Sequence, residues 1–430
     1  MKKISVFLLI LFIISALCVY ADDENDAYST EAGEEIYYYD DFDDLFDGTG
    51  KKPFGFGNRY FEMGIKANAY VSNNFLTVGE IFSETIVLDI DKLNKGFKMD
   101  LGIGVTPLYF KFDSKKGWGF GMSFLETEAT GILALSGKML SFDEVKDEES
   151  DLSGAVFTSV AVDAFFHIQK FKVKIRPAMY YPIAYMETDL LYTFVNNEGT
   201  RMKVGFDTKV YTAFALDDAH EQGIAGSPGF DFSFGVEYPL AKEIGLTDKF
   251  SFLDFDVGLD FINIPILSSE MKNYMRMYTI IDSGSHDVFD QDGMDDFLSA
   301  LGKAESDSEF GVGSKTIERP FKMLLHANWR PLNGSQLFTV TPVLGFALSQ
   351  LYLSPFSLEA GLNGSVNLAN FFKATAGINY TDRIWINSID LALNLRAVEF
   401  NIGADLRSQE FLKSWTANGL GLNFGFKFGW

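Results

Sequence analysis

The chain ends in GLGLNFGFKFGW, residues 419–430. Leu420, Leu422, Phe424, Phe426, Phe428 and Trp430 occupy alternate positions, so a strand built from them presents six large apolar side chains on one face. The other face carries Gly419, Gly421, Asn423, Gly425, Lys427 and Gly429. A soluble protein hides such an apolar row against a core. Here the expectation is that the row faces lipid, and that the strand closes against one near Arg59 so that no edge is left uncovered.

The other end of the chain fits an exported protein. Lys2 and Lys3 precede an apolar run from Ile4 to Leu17, and Val19 and Ala21 stand where a signal peptidase cuts. Residues 1–21 therefore read as a cleaved signal peptide. No other apolar stretch reaches the ~20 residues of a membrane-spanning helix. The chain's 1 cysteine, Cys18, lies inside this leader, so neither disulfides nor thiol chemistry are expected beyond it. A formal charge of −23 argues against a nucleic-acid partner, because phosphates need Lys and Arg.

From Arg59 onward the dominant period is two. Alternation marks 59–71, 97–112, 117–126, 201–214, 229–239, 250–262, 319–330, 336–347, 356–366, 371–380, 384–395 and 398–407. Weaker strands are read at 153–167, 171–181 and 185–195, and the terminal stretch brings the total to sixteen. Lengths of about ten residues are what a tilted strand needs to cross a bilayer. The expected fold is all-β, a transmembrane antiparallel up-and-down barrel covering 59–430. It has about sixteen strands, or fourteen if the three-residue links 182–184 and 381–383 fail and a pair is lost. Long connections, including one extracellular loop at 263–318, fall on one side, and both termini on the other. Tyr60, Trp118, Tyr238, Trp329 and Trp430 fall at periplasmic strand ends, where an interfacial aromatic girdle belongs.

Residues 22–58 stand apart. Positions 22–49 hold twelve acids and no base, and their aromatics include Tyr37, Tyr38, Tyr39, Phe42 and Phe46. This segment reads as a lumen plug or a disordered periplasmic tail. Within 73–93, Phe75, Val78, Phe82, Ile86, Ile90 and Leu93 follow helical spacing after the capping residues Asn73 and Asn74, giving a short helix at the barrel mouth.

The signal, the alternating strands and the terminal FGFKFGW together resemble bacterial outer-membrane β-barrels. In that class the last strand is read by the barrel-assembly machinery, and the resemblance assigns this assembly signal to Leu422, Phe424, Phe426, Phe428 and Trp430. Trp430 stands where the class usually ends in Phe. An N-terminal plug ahead of fourteen or more strands is similar in organisation to FadL-type transporters of hydrophobic compounds and their uncharacterised relatives. The Asn-Pro-Ala turn of that family is absent, so no substrate site carries over.

The candidate functional residues line the lumen. Alternation points Lys172, Lys174 and Arg176 inward from one strand and Arg201, Lys203 and Lys209 inward from the next but one. Asp254, Asp256 and Asp260 point inward on a strand expected across the barrel, so that basic and acidic patches oppose each other and tune which solutes pass. The bland reading is that these are solvated or mutually paired lumen residues. Inward glycines, among them Gly102, Gly104, Gly117, Gly119, Gly121, Gly421, Gly425 and Gly429, leave room for a plug or ease strand bending.

No catalytic constellation emerges. HDVFDQDGMDDF at 286–297 lacks acids at the first and last positions of a calcium loop. The isolated IIDSG at 280–284 has no second carboxylate in a defined site, and His167, His220, His286 and His326 have neither ligand nor triad spacing. No enzyme activity, metal or cofactor is expected. The expected function is an outer-membrane pore or transporter for small solutes or hydrophobic compounds, with lipid and the assembly machinery as partners. The alternative is a surface-binding or structural barrel that works through 263–318.

Overall fold

The computed structural model describes residues 60–74, 97–114, 118–135, 145–168, 170–196, 200–212, 226–282, 305–332, 337–351, 355–368, 371–415 and 418–429. Its strands are, in chain order, β1 (Phe61–Asn73), β2 (Phe97–Asp113), β3 (Trp118–Leu135), β4 (Val145–Ile168), β5 (Phe171–Asn196), β6 (Thr200–Thr212), β7 (Gly226–Ser227) and β8 (Gly229–Tyr238). Then follow β9 (Asp254–Leu267), β10 (Ser269–Asp282), β11 (Glu305–Ile317), β12 (Phe321–Arg330), β13 (Phe338–Leu348) and β14 (Phe356–Leu368). The last are β15 (Phe372–Thr381), β16 (Ile384–Asn394), β17 (Val398–Ser408) and β18 (Gly419–Gly429). Two short helices, α1 (Leu240–Glu243) and α2 (Leu246–Lys249), sit between β8 and β9.

Fourteen of these strands close one antiparallel ring, in the order β1, β2, β3, β4, β5, β8, β9, β12 and then β13 to β18. The seam is the terminal strand: β18 pairs with β1 from Glu62 opposite Gly429 to Ser72 opposite Gly419. Closure gives every wall strand two neighbours, so its backbone groups are satisfied without water. Along β18, Leu422, Phe424 and Phe428 are exposed on the outer face, whereas Gly421, Gly425 and Lys427 are buried within. The same division holds on β16 and β17, where Ile389, Leu391, Phe400 and Ile402 are exposed on the outside. Trp430 lies outside the described residues.

The count of fourteen, against sixteen read from alternation, has two causes. The link expected at 182–184 is strand, because β5 runs unbroken through Pro182. Val156 faces Ala184 and Phe157 faces Pro182, so Ile183 is the extra residue of a β-bulge, where proline is tolerated within a sheet. The other link is a real turn: Asp382 and Arg383 both have positive φ, 45° and 65°, as a type I′ hairpin requires. Second, β6 lies off the ring. It pairs with the outer half of β5, Ala184–Asn196, while β8 pairs with the inner half.

The segment expected as a single long loop, 263–318, carries strand at both ends. β9 runs to Leu267, β10 follows after one residue, and β11 leads into β12 through residues 318–320. With β6 and the outer half of β5 these make a sheet that continues the wall beyond the ring. The barrel is therefore tall on one side, where β5 has 26 residues, and low on the other, where β15 has 10.

Tight links join β4 to β5 and β16 to β17 at one rim, called here the turn side; the opposite rim is the loop side. At the turn side Trp118 and Trp329 are exposed on the outer surface, and Tyr238 packs on Phe171 at 4.8 Å. The indole of Trp329 donates a 2.7 Å hydrogen bond to the Phe252 carbonyl. These positions match the girdle expected there. The plug at 22–58, the helix expected in 73–93 beyond Asn74, and the acidic motif 286–297 lie outside the described residues.

Candidate functional site

Bulges decide which side chains line the lumen. Leu125 has φ 51° and is the extra residue on β3, since Ser123 faces Ala161 while Glu126 faces Ser159. Inward parity thereby passes from odd to even positions, and Glu126 turns into the barrel instead of toward lipid. Its carboxylate accepts from Arg176 of β5 and, at 3.1 Å, from Ser159 of β4. Arg176 also lies 3.5 Å from Asp163, and Lys174 is 3.8 Å from the same carboxylate.

Toward the turn side a ladder of opposite charges crosses four neighbouring strands. Lys172 on β5 lies 2.8 Å from Glu237 on β8 and 3.5 Å from Asp256 on β9. Arg330 on β12 lies 3.0 Å from the same Asp256 and 3.2 Å from Asp254. Asp260 faces His326 at 3.1 Å. The acidic strand expected across the barrel is thus separated from β5 by β8 alone, and the two charge sets pair along one wall. Spacing in sequence misplaces them because the outer half of β5 and all of β6 occupy chain length without occupying the ring.

Arg201, Lys203 and Lys209 fall on β6 and so outside the ring. In register, Lys209 faces Glu187 of β5 and Arg276 of β10. The wall from β14 to β18 adds amide pairs: Asn363 and Asn379 exchange amide hydrogen bonds of 3.2 and 3.1 Å, and Asn423 donates to Asp390 at 2.7 Å. It also carries ion pairs, with Arg407 2.5 Å from Asp405 and Lys427 3.6 Å from Glu399.

Where the lumen meets the loop side it turns apolar. Phe157, Tyr180, Tyr185, Tyr211, Met271, Ile317 and Leu351 form one buried cluster. Tyr180 donates to the Ile317 carbonyl at 3.1 Å and accepts from the Ser269 amide at 3.3 Å, which ties β5 to the junctions of β9 with β10 and of β11 with β12. Leu351 comes from the β13–β14 connection and is 6% exposed. It also lines a water-sized recess with Tyr70, Asp100, Thr130, Ile384, Ile386 and Arg407, from β1, β2, β3, β16 and β17. A side chain that touches both groups reaches across the mouth.

Gly102 and Gly119, expected to leave room along the wall, face rings instead of open space. A Cβ on Gly102 would lie 2.3 Å from the ring of Tyr70, and one on Gly119 would lie 2.0 Å from that of Phe165. Gly229 and Tyr180 stand in the same relation, at 2.1 Å. In each pair the glycine is the ring's direct cross-strand partner, so the aromatic lies flat over it against the wall.

Sequence reasoning missed Glu126, Asp163, Asp231, Glu237, Arg319, Arg330 and Leu351. Glu237 and Arg330 are legible as polar positions on strands that alternation marks, but Glu126 needs the bulge at Leu125. Arg319 sits in the junction between β11 and β12, which reads as loop.

No family model matches this sequence, and no curated protein matches it. Solved structures do match in shape. The toluene transporter TodX of Pseudomonas putida shares 8% identity at a TM-score of 0.47, over 88% of this chain and 91% of that one. A TodX variant described as a monoaromatic hydrocarbon channel gives 9% and 0.49, covering 94% and 96%. A Pseudomonas aeruginosa FadL homologue gives 7% and 0.44, covering 94% and 99%.

Proposed function

We propose that the protein is an outer-membrane pore or transporter whose lumen carries a small solute from the loop side to the turn side. The observation that supports this most directly is the closed fourteen-strand ring with an apolar outer face and a charged, polar inner one. Such a wall is stable in lipid and offers a hydrophilic interior. On this reading the solute first passes the apolar layer around Leu351 and then the ionic ladder from Lys172 to Arg330. The ladder, with Lys174, Arg176 and Asp260, sets charge preference, and Leu422, Phe424, Phe426, Phe428 and Trp430 serve assembly into the outer membrane.

The test is single-channel recording in planar bilayers with 22–58 present and deleted. Conductance in either form supports the pore, and its size difference reports whether 22–58 occupies the lumen. Silence in both forms overturns this reading. It would favour the second one, a surface-binding barrel, for which the sheet of β5, β6, β10 and β11 standing beyond the ring is the motivating feature.

A further inference from the structure

The described part of the connection between β17 and β18, residues 409–415 and 418, turns to the outside of the wall. Its 3-10 turn, Phe411–Trp415, packs on the outer face of β16. Asn387 lies on that face, one residue pair from the exposed Ile389, yet it is only 8% exposed because its amide donates to the Ser414 hydroxyl at 2.7 Å. Beside it the Trp385 ring meets Phe411 edge-on at 4.8 Å and Tyr380 at 4.8 Å. Ser414 in turn donates to the Phe411 carbonyl at 2.6 Å, which fixes the turn's own shape. The turn is thus pinned by a polar contact on a surface that otherwise faces hydrocarbon.

What the pinned turn presents outward is apolar. Leu412 is 80% exposed, Trp415 55% and Phe411 42%. Lys413 is paired with Glu410 at 2.6 Å, so the turn carries no large local charge excess. The wall beneath is the low side of the barrel, where β15 and β16 have 10 and 11 residues, just the length that spans a bilayer when tilted. Trp385 therefore stands at the loop-side limit of the hydrocarbon. The turn sits beside it, and its apolar surface continues the ring's lipid-facing belt.

We infer that Phe411–Trp415 is a membrane-interface anchor that seats Leu412 and Trp415 among the head groups and upper acyl chains of the loop-side leaflet. The partner is the lipid surface itself. Trp suits this layer because its ring is apolar and its indole N–H is polar. Asn387 then has a structural purpose: it holds the anchor to the wall, and Ser414 gives its amide nitrogen a partner on that face. The anchor fixes how deeply the low rim is immersed, whatever the lumen carries.

The mature chain expected from the sequence contains no cysteine, so L412C places a unique nitroxide. In nanodiscs holding one barrel each, the ratio of accessibility to oxygen over a water-soluble nickel chelate should match the lipid-facing control L422C and exceed the exposed control K249C severalfold. A ratio equal to that of K249C overturns the proposal. So does spin–spin broadening in liposomes that vanishes in single-barrel discs, since the face would then seat a second copy. Heat-modifiable gel mobility confirms that each labelled barrel is folded. Independently, the emission lost in W415F, read as the difference between the two proteins' spectra, should be quenched by brominated lipid, and a difference signal that such lipid leaves unquenched counts against the anchor.

Discussion

Arg319 and Asp231 meet through two parallel hydrogen bonds of 2.7 Å each, from Nε and Nη2 to the two carboxylate oxygens. Arg319 stands at the junction of β11 with β12 and Asp231 on β8, so the pair ties the off-ring sheet to the ring. Their side chains are 8% and 2% exposed, and Arg319 also lies 5.4 Å over the Tyr180 ring and 3.3 Å from the Ser159 hydroxyl. Removing one partner strands a buried charge, at a cost of about 3–5 kcal/mol. R319M should therefore lower stability by that amount in urea titrations, and adding D231L should recover most of it. A single variant as stable as the double would show that the pair is not coupled.

On the proposed pore reading, the apolar cluster that contains Leu351 is the barrier to ions. A narrow apolar segment resists wetting, and one hydroxyl in it lowers that resistance. L351S should raise single-channel conductance or open probability severalfold, whereas L344S, on the outer face of β13, should leave both unchanged. Equal currents from all three proteins would remove Leu351 from the conduction path.

The ladder predicts a direction for charge preference. Replacing Lys172, Lys174 and Arg176 by Gln leaves Glu237, Asp256, Asp163 and Glu126 without those cationic neighbours, so the lumen becomes more acidic. Reversal potentials in a salt gradient should move toward cation preference. If they stay fixed, these side chains only hold the wall together.

Acid should loosen the off-ring sheet. Arg276 donates to both oxygens of Asp207, at 2.7 and 2.6 Å, and this hydrogen bonding holds the carboxyl below its ordinary 3.8 despite the opposing effect of burial. A carboxyl depressed on folding adds stability that is complete above the unfolded value and lost as pH falls through the folded one. Amide exchange in β6 and β10, corrected for its intrinsic rate, should accelerate below about pH 4. In R276M that acid-specific acceleration should disappear.

Cross-strand glycines should be intolerant of size. G102L must displace the Tyr70 ring, over which Arg407 is stacked at 3.8 Å, and overpacking of this kind costs about 1–3 kcal/mol. The temperature at which the barrel loses its folded gel mobility should drop. An unchanged temperature would mean that the ring has somewhere else to go.

Alternation makes the ring legible because lipid outside and polar lumen inside impose a period of two on nearly every wall strand. It locates the terminal strand, its partner near Arg59 and the turn-side aromatics. It fails at Ile183, Leu125 and the junction 318–320, where one extra residue or a change of direction leaves no trace in an apolar pattern. Nor does it say which strands are neighbours. Alternation turns both Lys172 and Asp256 inward, but their contact depends on the outer half of β5 and β6 leaving the circumference, which periodicity does not record.

The unequal strand lengths give the barrel a bevelled end. At roughly 3.3 Å per residue, a 26-residue β5 standing across from a 10-residue β15 tilts the plane of the opening away from the membrane plane. Among the described strands, a molecule drifting along the membrane surface meets a low threshold from the β15 side and a parapet from the β5 side. Among these strands the rim is therefore lowest beside β15 and highest beside β5, a difference of height rather than of bore.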